Sequence, residues 1–153
     1  MKRVLLKSVY EAFEYVMDHY YPFGLEEYGQ RKDTYAIISI QDTHIGGFGF
    51  EFTKNKYCLD ALTLLFDDTV REEEGATLFT TEQAEKIIDF VETNRKAETL
   101  VIHCYGGQSR SRAVAAFCVK MLGGDNRKYF EKGNPNEYVY NLLVSTWEKR
   151  NSK

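Results

Sequence analysis

The spacing of apolar residues changes along the chain, and each change marks an element. Ser8 and Glu11 stand at capping-box spacing, and Ala12, Phe13, Val16 and Met17 follow with a helical period. A first helix is therefore expected, stopping near Tyr21-Pro22, because the residue before a proline is driven out of helical geometry. After a polar loop at 26–33, residues 35–40 are apolar and short enough for a buried strand. In 44–52 glycines come first, then Phe48, Phe50 and Phe52 alternate. That spacing is not a dinucleotide-binding loop, and a turn feeding an edge strand is expected. Residues 59–66 read as another strand, closed by Asp67-Asp68, and 71–75 as a solvated loop.

The second half is more regular. Thr80 and Gln83 repeat the capping-box spacing, and Ala84, Ile87, Ile88 and Val91 share one helical stripe. Residues 99–103 are apolar and β-branched, a strand; 104–109 form a loop; 111–122 form an alanine-rich helix closed by Gly123-Gly124. Asn134 as cap, Pro135 at the first helical position and Glu137 at the third open a last helix running to about Arg150, with Val139, Leu142, Leu143 and Thr146 facing inward. Strands alternating with helices predict an α/β fold, a mainly parallel central sheet flanked by helices, with 1–153 as one domain.

Composition narrows the function classes. In 153 residues there are 20 Lys and Arg against 23 Asp and Glu, a formal charge of -3 that disfavours a dedicated nucleic-acid binder. No apolar run is long enough to span a membrane, and residues 1–7 are too short for a signal peptide. The cysteines Cys58, Cys104 and Cys118 are odd in number and sparse, which argues against a secreted disulfide scaffold and for a reducing, cytoplasmic setting. His19 and His44 have no partners at metal-ligand spacing, so neither metal nor cofactor is expected.

One segment carries chemistry: His103-Cys-Tyr-Gly-Gly-Gln-Ser-Arg-Ser111, after a strand and before a helix. A short loop resting on a helix N-terminus gathers backbone N–H groups and partial positive charge around an anion. Arg110 adds a planar fork suited to two phosphate oxygens. A cysteine on the floor of such a cradle sits in the kind of field that favours a thiolate, a ready nucleophile.

His-Cys-x-x-Gly-x-x-Arg-Ser resembles the signature of the cysteine-dependent protein tyrosine phosphatases, most closely the compact dual-specificity type. His103, Cys104, Gly107, Arg110 and Ser111 meet its fixed positions, and the likeness is sharp over about residues 60–120. The resemblance implies a phosphatase-like three-layer sandwich and hydrolysis of phosphomonoesters through a phosphocysteine. It implies Cys104 as nucleophile, Arg110 as phosphate clamp, Ser111 as hydrogen-bond partner of the sulfur, and His103 as support for the loop. The backbone of Tyr105, Gly106, Gly107, Gln108, Ser109 and Arg110 would hold the phosphate. The family takes its general acid from an upstream loop after a strand; Asp68 fits that place, with Asp67 as its structural neighbour and Glu72, Glu73 and Glu74 as further candidates. The implied partner is a phosphorylated substrate, above all a phosphoprotein. Gly106 stands where the family often has alanine, and the chain has neither a Trp-Pro-Asp segment nor a long phosphotyrosine-recognition insertion.

Other readings stay open. An inositol phosphate or RNA 5′ phosphate could be the substrate, or the cradle could bind phosphate without catalysis. Rhodanese-like sulfur transfer usually has a shorter cysteine loop, and arsenate reductases on the low-molecular-weight phosphatase fold carry theirs near the start of the chain. Cys118, within Ala115–Val119, and Cys58 read as core residues. Tyr105 reads equally as a rim aromatic or a packing residue.

Overall fold

The computed structural model describes residues 1–20 and 31–152. Four strands form a sheet in the order β1-β4-β2-β3, every neighbouring pair parallel: β1 (Arg3–Lys7), β2 (Tyr35–Gln41), β3 (Cys58–Leu65) and β4 (Thr99–His103). All residues of β2 and β4 are buried, which is why these strands read as near-continuous apolar runs. Helix α1 (Val9–Met17) covers one face. Helices α2 (Thr81–Thr93), α3 (Arg110–Met121), the single turn α4 (Lys128–Glu131) and α5 (Glu137–Asn151) pack on the other side.

The two-residue period of a strand divides the core. Ala36, Ile38, Ile40, Leu100 and Ile102 belong to the large cluster shared with α2, α3 and α5, where the Phe117 and Trp147 rings meet at 5.9 Å. Tyr35, Ile37 and Val101 point the other way, onto Ala12 and Tyr15 of α1. Cys118 lies in the large cluster and Cys58 in the small one. Burial pushes both thiols up, Cys58 to about 11, as suits inert packing residues.

Both capping boxes form, at Ser8 with Glu11 and at Thr80 with Gln83. Gln83 also reaches beyond its own helix. Its Nε2 donates to the Leu65 carbonyl at 3.0 Å, fixing the point where the chain leaves β3.

Three local expectations are corrected, and two elements are added to those the sequence predicts. Helix α1 ends at Met17, and 18–20 tighten into a turn in which His19 N and Tyr20 N donate to Val16 O and Met17 O; the Tyr21-Pro22 stop lies outside the described residues. Residues 48–52 form no edge strand. The Gln41 side chain takes their backbone groups instead, accepting from Phe48 N at 2.8 Å and donating to Phe50 O at 3.0 Å, while the Phe50 and Phe52 rings pack on Phe13. The cap of α5 is Asn136, not Asn134, because Asn134 N and Asn136 N are both engaged by carbonyls of the 104–109 loop. Finally, β1 and α4 carry no pattern that separates them from loop, β1 being a short edge strand flanked by cations. No helix among the described residues is long and apolar enough to cross a membrane.

Candidate active site

Because the sheet is parallel, Lys7, Gln41, Leu65 and His103 all end at one edge, the edge where open α/β sheets bind ligands. The chain leaving those ends supplies Ser8, Asp42, Phe66 to Asp68, and Cys104. Residues far apart in sequence are thereby brought together.

The pleat puts His103 and Cys104 on opposite faces. His103 lies across from Ser39 in the β2–β4 register, and its Nε2 is 2.7 Å from Ser39 Oγ; its Nδ1 is 3.0 Å from the Cys104 carbonyl. A carbonyl only accepts, so Nδ1 carries the proton, Ser39 donates to Nε2, and Gln41 Nε2 donates to Ser39 Oγ at 3.0 Å. Every group in this buried relay is neutral and satisfied. Burial holds the His103 imidazole below its ordinary range; the bond to the Cys104 carbonyl opposes that, and the Arg110 charge reinforces it.

Cys104 is 3% exposed. Its Sγ is 3.0 Å from Ser111 Oγ and accepts the Gly107 N–H at 3.3 Å. Gly107 has φ +75, and a Cβ there would sit 3.1 Å from the Lys7 carbonyl oxygen and 3.3 Å from Ser8 N, so the loop is seated directly on the backbone between β1 and α1. Val9 N donates to Tyr105 O at 3.0 Å on the same side. Gly106, by contrast, has open space around it.

Arg110, first residue of α3, is buried. Its Nη1 donates to the Phe66 carbonyl at 2.8 Å and meets Asp42 Oδ1 at 2.7 Å. Asp42 belongs to no sequence motif. Its one signal was positional: a carboxylate directly after a buried parallel strand.

The two aspartates after β3 differ. Asp67 takes hydrogen bonds from Thr43 N at 3.0 Å, Thr43 Oγ1 at 2.6 Å and Thr77 N at 2.7 Å. Burial pushes its carboxyl up, but those donors and the Arg110 charge outweigh it and hold the group below the usual range. Asp68 is exposed and reaches the cysteine loop itself: Ser109 Oγ donates to its Oδ1 at 2.7 Å, and Asn136 Nδ2 at 3.0 Å. Asn136 also donates to Thr69 O at 3.0 Å, accepts from Val139 N as the cap of α5, and donates through its backbone to Ser109 O. One side chain thus ties the Asp68 loop, the Cys104 loop and α5 together.

The structure brings together His103, Cys104, Ser109, Arg110, Ser111 and Asp68. Tyr105, Gly106 and Gln108 are exposed on the rim, and Tyr105 packs edge-on against Tyr10 and Phe48 at 6.4 and 6.2 Å. Glu72, Glu73 and Glu74 stand apart, lining a shallow cavity with Ala76 and Leu78. No group of three or more His, Cys, Asp or Glu among the described residues could hold a metal ion.

No protein-family model and no curated protein matches the sequence. Solved structures do match. Human DUSP28 aligns with a TM-score of 0.58 at 17% identity, over 97% of this chain and 94% of its own. OH1 from the Orf virus, a tyrosine phosphatase, aligns at 0.52 and 14%, over 94% and 82% of the two chains. PTPMT1, solved in complex with PI(5)P, aligns at 0.52 and 15%, over 78% and 80%. The chain has the fold of the cysteine-dependent tyrosine and dual-specificity phosphatases, in its compact form.

The two glycines of the loop should respond differently to a side chain. Gly107→Ala should destabilise the protein by more than about 1 kcal/mol, since φ is positive and the neighbour is backbone. Gly106→Ala should be neutral or stabilising by about 0.4–1 kcal/mol. Urea midpoints of the two variants decide it; equal midpoints would mean the loop is not seated on β1. Acid should act through His103. Its imidazole is held neutral in the fold, so its contribution to stability is full above the ordinary value of about 6.5 and is lost as pH falls through its lower folded value. The urea midpoint should therefore drop as pH falls below about 6.5, and this drop should be absent in His103→Asn.

Proposed function

We propose that the protein is a phosphomonoester hydrolase of the tyrosine or dual-specificity type, working through a phosphocysteine. The observation that carries this is the placement of Asp68 on Ser109 at 2.7 Å, within the loop that also holds Cys104 and Arg110. A carboxylate is thereby tied to the loop that begins at Cys104 and ends at the buried Arg110.

In this reading the Cys104 thiolate attacks phosphorus in line with the leaving oxygen, forming the S–P bond as the P–O bond breaks. Asp68 gives its proton to the departing alkoxide or phenoxide. Both Ser109 and Asn136 bond to Oδ1, which leaves Oδ2 without a protein donor among the described residues and able to face the leaving group. Arg110 and the backbone N–H groups of 105–110 hold the equatorial oxygens, where charge grows in the transition state. Asp42 and the Phe66 carbonyl keep the guanidinium at the correct angle. In the second step Asp68, now a carboxylate, takes a proton from water as that water attacks phosphorus. Inorganic phosphate leaves, and the returning thiolate is received by Ser111 Oγ–H and Gly107 N–H. Asp67, saturated with three donors, holds the loop and transfers no proton.

The substrate in this proposal is a phosphoprotein. The exposed aromatics Tyr10, Phe13 and Tyr105 around the loop suit the side chains next to a phosphorylated residue. An inositol phosphate is the second reading, favoured by the PI(5)P that PTPMT1 was solved with. RNA 5′ phosphate has only the general chemistry of the cradle behind it. The setting proposed is the cytoplasm.

Cys104→Ser should abolish turnover of an aryl phosphate yet keep vanadate binding, since the cradle is backbone and Arg110. Asp68→Asn should slow an alkyl phosphate by about 10²–10⁴-fold and an activated aryl phosphate far less. Asp67→Asn should show no such dependence on the leaving group. Substantial turnover by the serine variant would end the phosphocysteine reading; a leaving-group effect at Asp67 alone would move the acid by one residue.

A further inference from the structure

The outer side of α1 is aromatic, and no step of the chemistry uses it. Tyr10 is 67% exposed and Phe13 40%. With His44, Phe48, Phe50 and Tyr105 they line a cavity of about 370 Å³ beside the cysteine loop. Contiguous aromatic surface left to water marks a place where something binds. The groove is held in shape from beneath. Its outer wall has no strand pairing, and the buried Gln41 amide holds it instead, accepting from Phe48 N at 2.8 Å and donating to Phe50 O at 3.0 Å. A Cβ at Gly47 would fall 2.6 Å from Gln41 Oε1, so the turn closes on that amide only with a glycine there. The Phe13 and Phe50 rings lie 4.5 Å apart, which brings the wall against α1.

Charge decides what fits. Glu14, one helical turn after Tyr10, and Glu51, between Phe50 and Phe52, are exposed, and neither side chain has an ion pair among the described residues. Glu11 is taken up by Ser8 N and by the charge of Lys7. Lys54 and Lys56 lie at the opposite edge of the sheet, where β3 starts, one acting on Cys58 and the other over the Tyr57 ring. The groove is thus apolar with an acidic border. RNA or an anionic bilayer would be repelled by that border. A second copy seated by two-fold symmetry would bring the same carboxylates against themselves. A polypeptide with an apolar side chain and a neighbouring cation meets both features.

The groove is also continuous with the phosphate loop. Tyr105 follows Cys104 directly, its carbonyl accepts from Val9 N at 3.0 Å, and its ring packs on both Tyr10 and Phe48. An extended chain advances about 3.3 Å per residue, so the neighbour of a residue seated at Cys104 passes over Tyr105. We propose that this groove takes the segment of a phosphoprotein substrate next to its phosphorylated residue, and that it selects an apolar side chain accompanied by a cation. The proposal rests on the phosphoprotein reading of the site and adds the sequence that such a substrate carries.

The test uses the full chain and four phosphotyrosine peptides, with leucine and arginine or serine and glutamate placed just before or just after the phosphotyrosine. In the native chain the leucine–arginine member of at least one pair should have a kcat/KM about tenfold higher, the size expected when one apolar side chain is partly withdrawn from water. That preference should fall about threefold in Glu14→Lys and further in Tyr10→Ser, both exposed positions. No preference in the native chain, or an unchanged one in either variant, overturns the proposal. A second measurement needs no variant. In the ¹⁵N-labelled native chain the unphosphorylated leucine–arginine peptide should move the amide signals of Tyr10, Phe48 and Tyr105, and the serine–glutamate peptide should leave them in place. Signals that ignore the first peptide, or that respond instead to protein concentration, anionic vesicles or RNA, overturn the proposal. A chain that binds the peptide here yet hydrolyses neither phosphopeptide nor aryl phosphate keeps the groove and rejects the enzyme; one that hydrolyses them without preference keeps the enzyme and rejects the groove.

Discussion

The pairing of β4 with β2 is the constraint on which the rest of the site depends. Their parallel register sets Ser39 opposite His103, and the pleat then sends Cys104 to the other face. A slip of one residue would exchange them, placing the sulfur on the Ser39 face and the imidazole on the face of Ile38 and Ile40. The relay from Gln41 through Ser39 to His103 fixes that register with three neutral, mutually satisfied groups. Such a relay has one arrangement that satisfies every member, which is why it positions the Cys104 carbonyl so closely. It also reaches outward, because the same Gln41 holds Phe48 and Phe50 in the aromatic rim.

Around this fixed point the charged groups are distributed by partner. Arg110 is buried, but Asp42 and the Phe66 carbonyl meet it, so its charge is not left unmatched. Asp67 is spent on loop structure and Asp68 is left at the surface, although the two are adjacent in sequence. The difference lies in what each meets: Thr43 and Thr77 on one side, Ser109 and Asn136 on the other. Asn136 is the joint of the assembly. By capping α5 while bonding Asp68 and Ser109, it makes the position of the proposed acid depend on a helix far along the chain.

The three cysteines show how far environment, rather than residue type, decides chemistry. Cys118 lies among apolar side chains, Cys58 Sγ donates to the Asp60 carbonyl at 3.3 Å, and burial drives both thiols upward. Cys104 is as deeply buried but has a hydroxyl and a backbone N–H at its sulfur, donors that an anionic sulfur can use.

The elements and the cysteine loop were legible in the sequence because their signals are local. A strand buried on both faces, a capping box and a cysteine–glycine–arginine loop are each written within a few consecutive residues. What the sequence could not show depends on contacts across long separations. Strand β1 is short, cationic and stable only as the partner of β4. Residues 48–52 alternate like a strand, yet a glutamine side chain claims their backbone. Asp42 gains meaning only where the parallel sheet brings it to Arg110. Side-chain identity and local period determined which pieces exist and which loop holds the chemistry. The tertiary structure decided which carboxylate faces which cation, because charge partnership is a matter of distance in space, and only the packed sheet sets those distances.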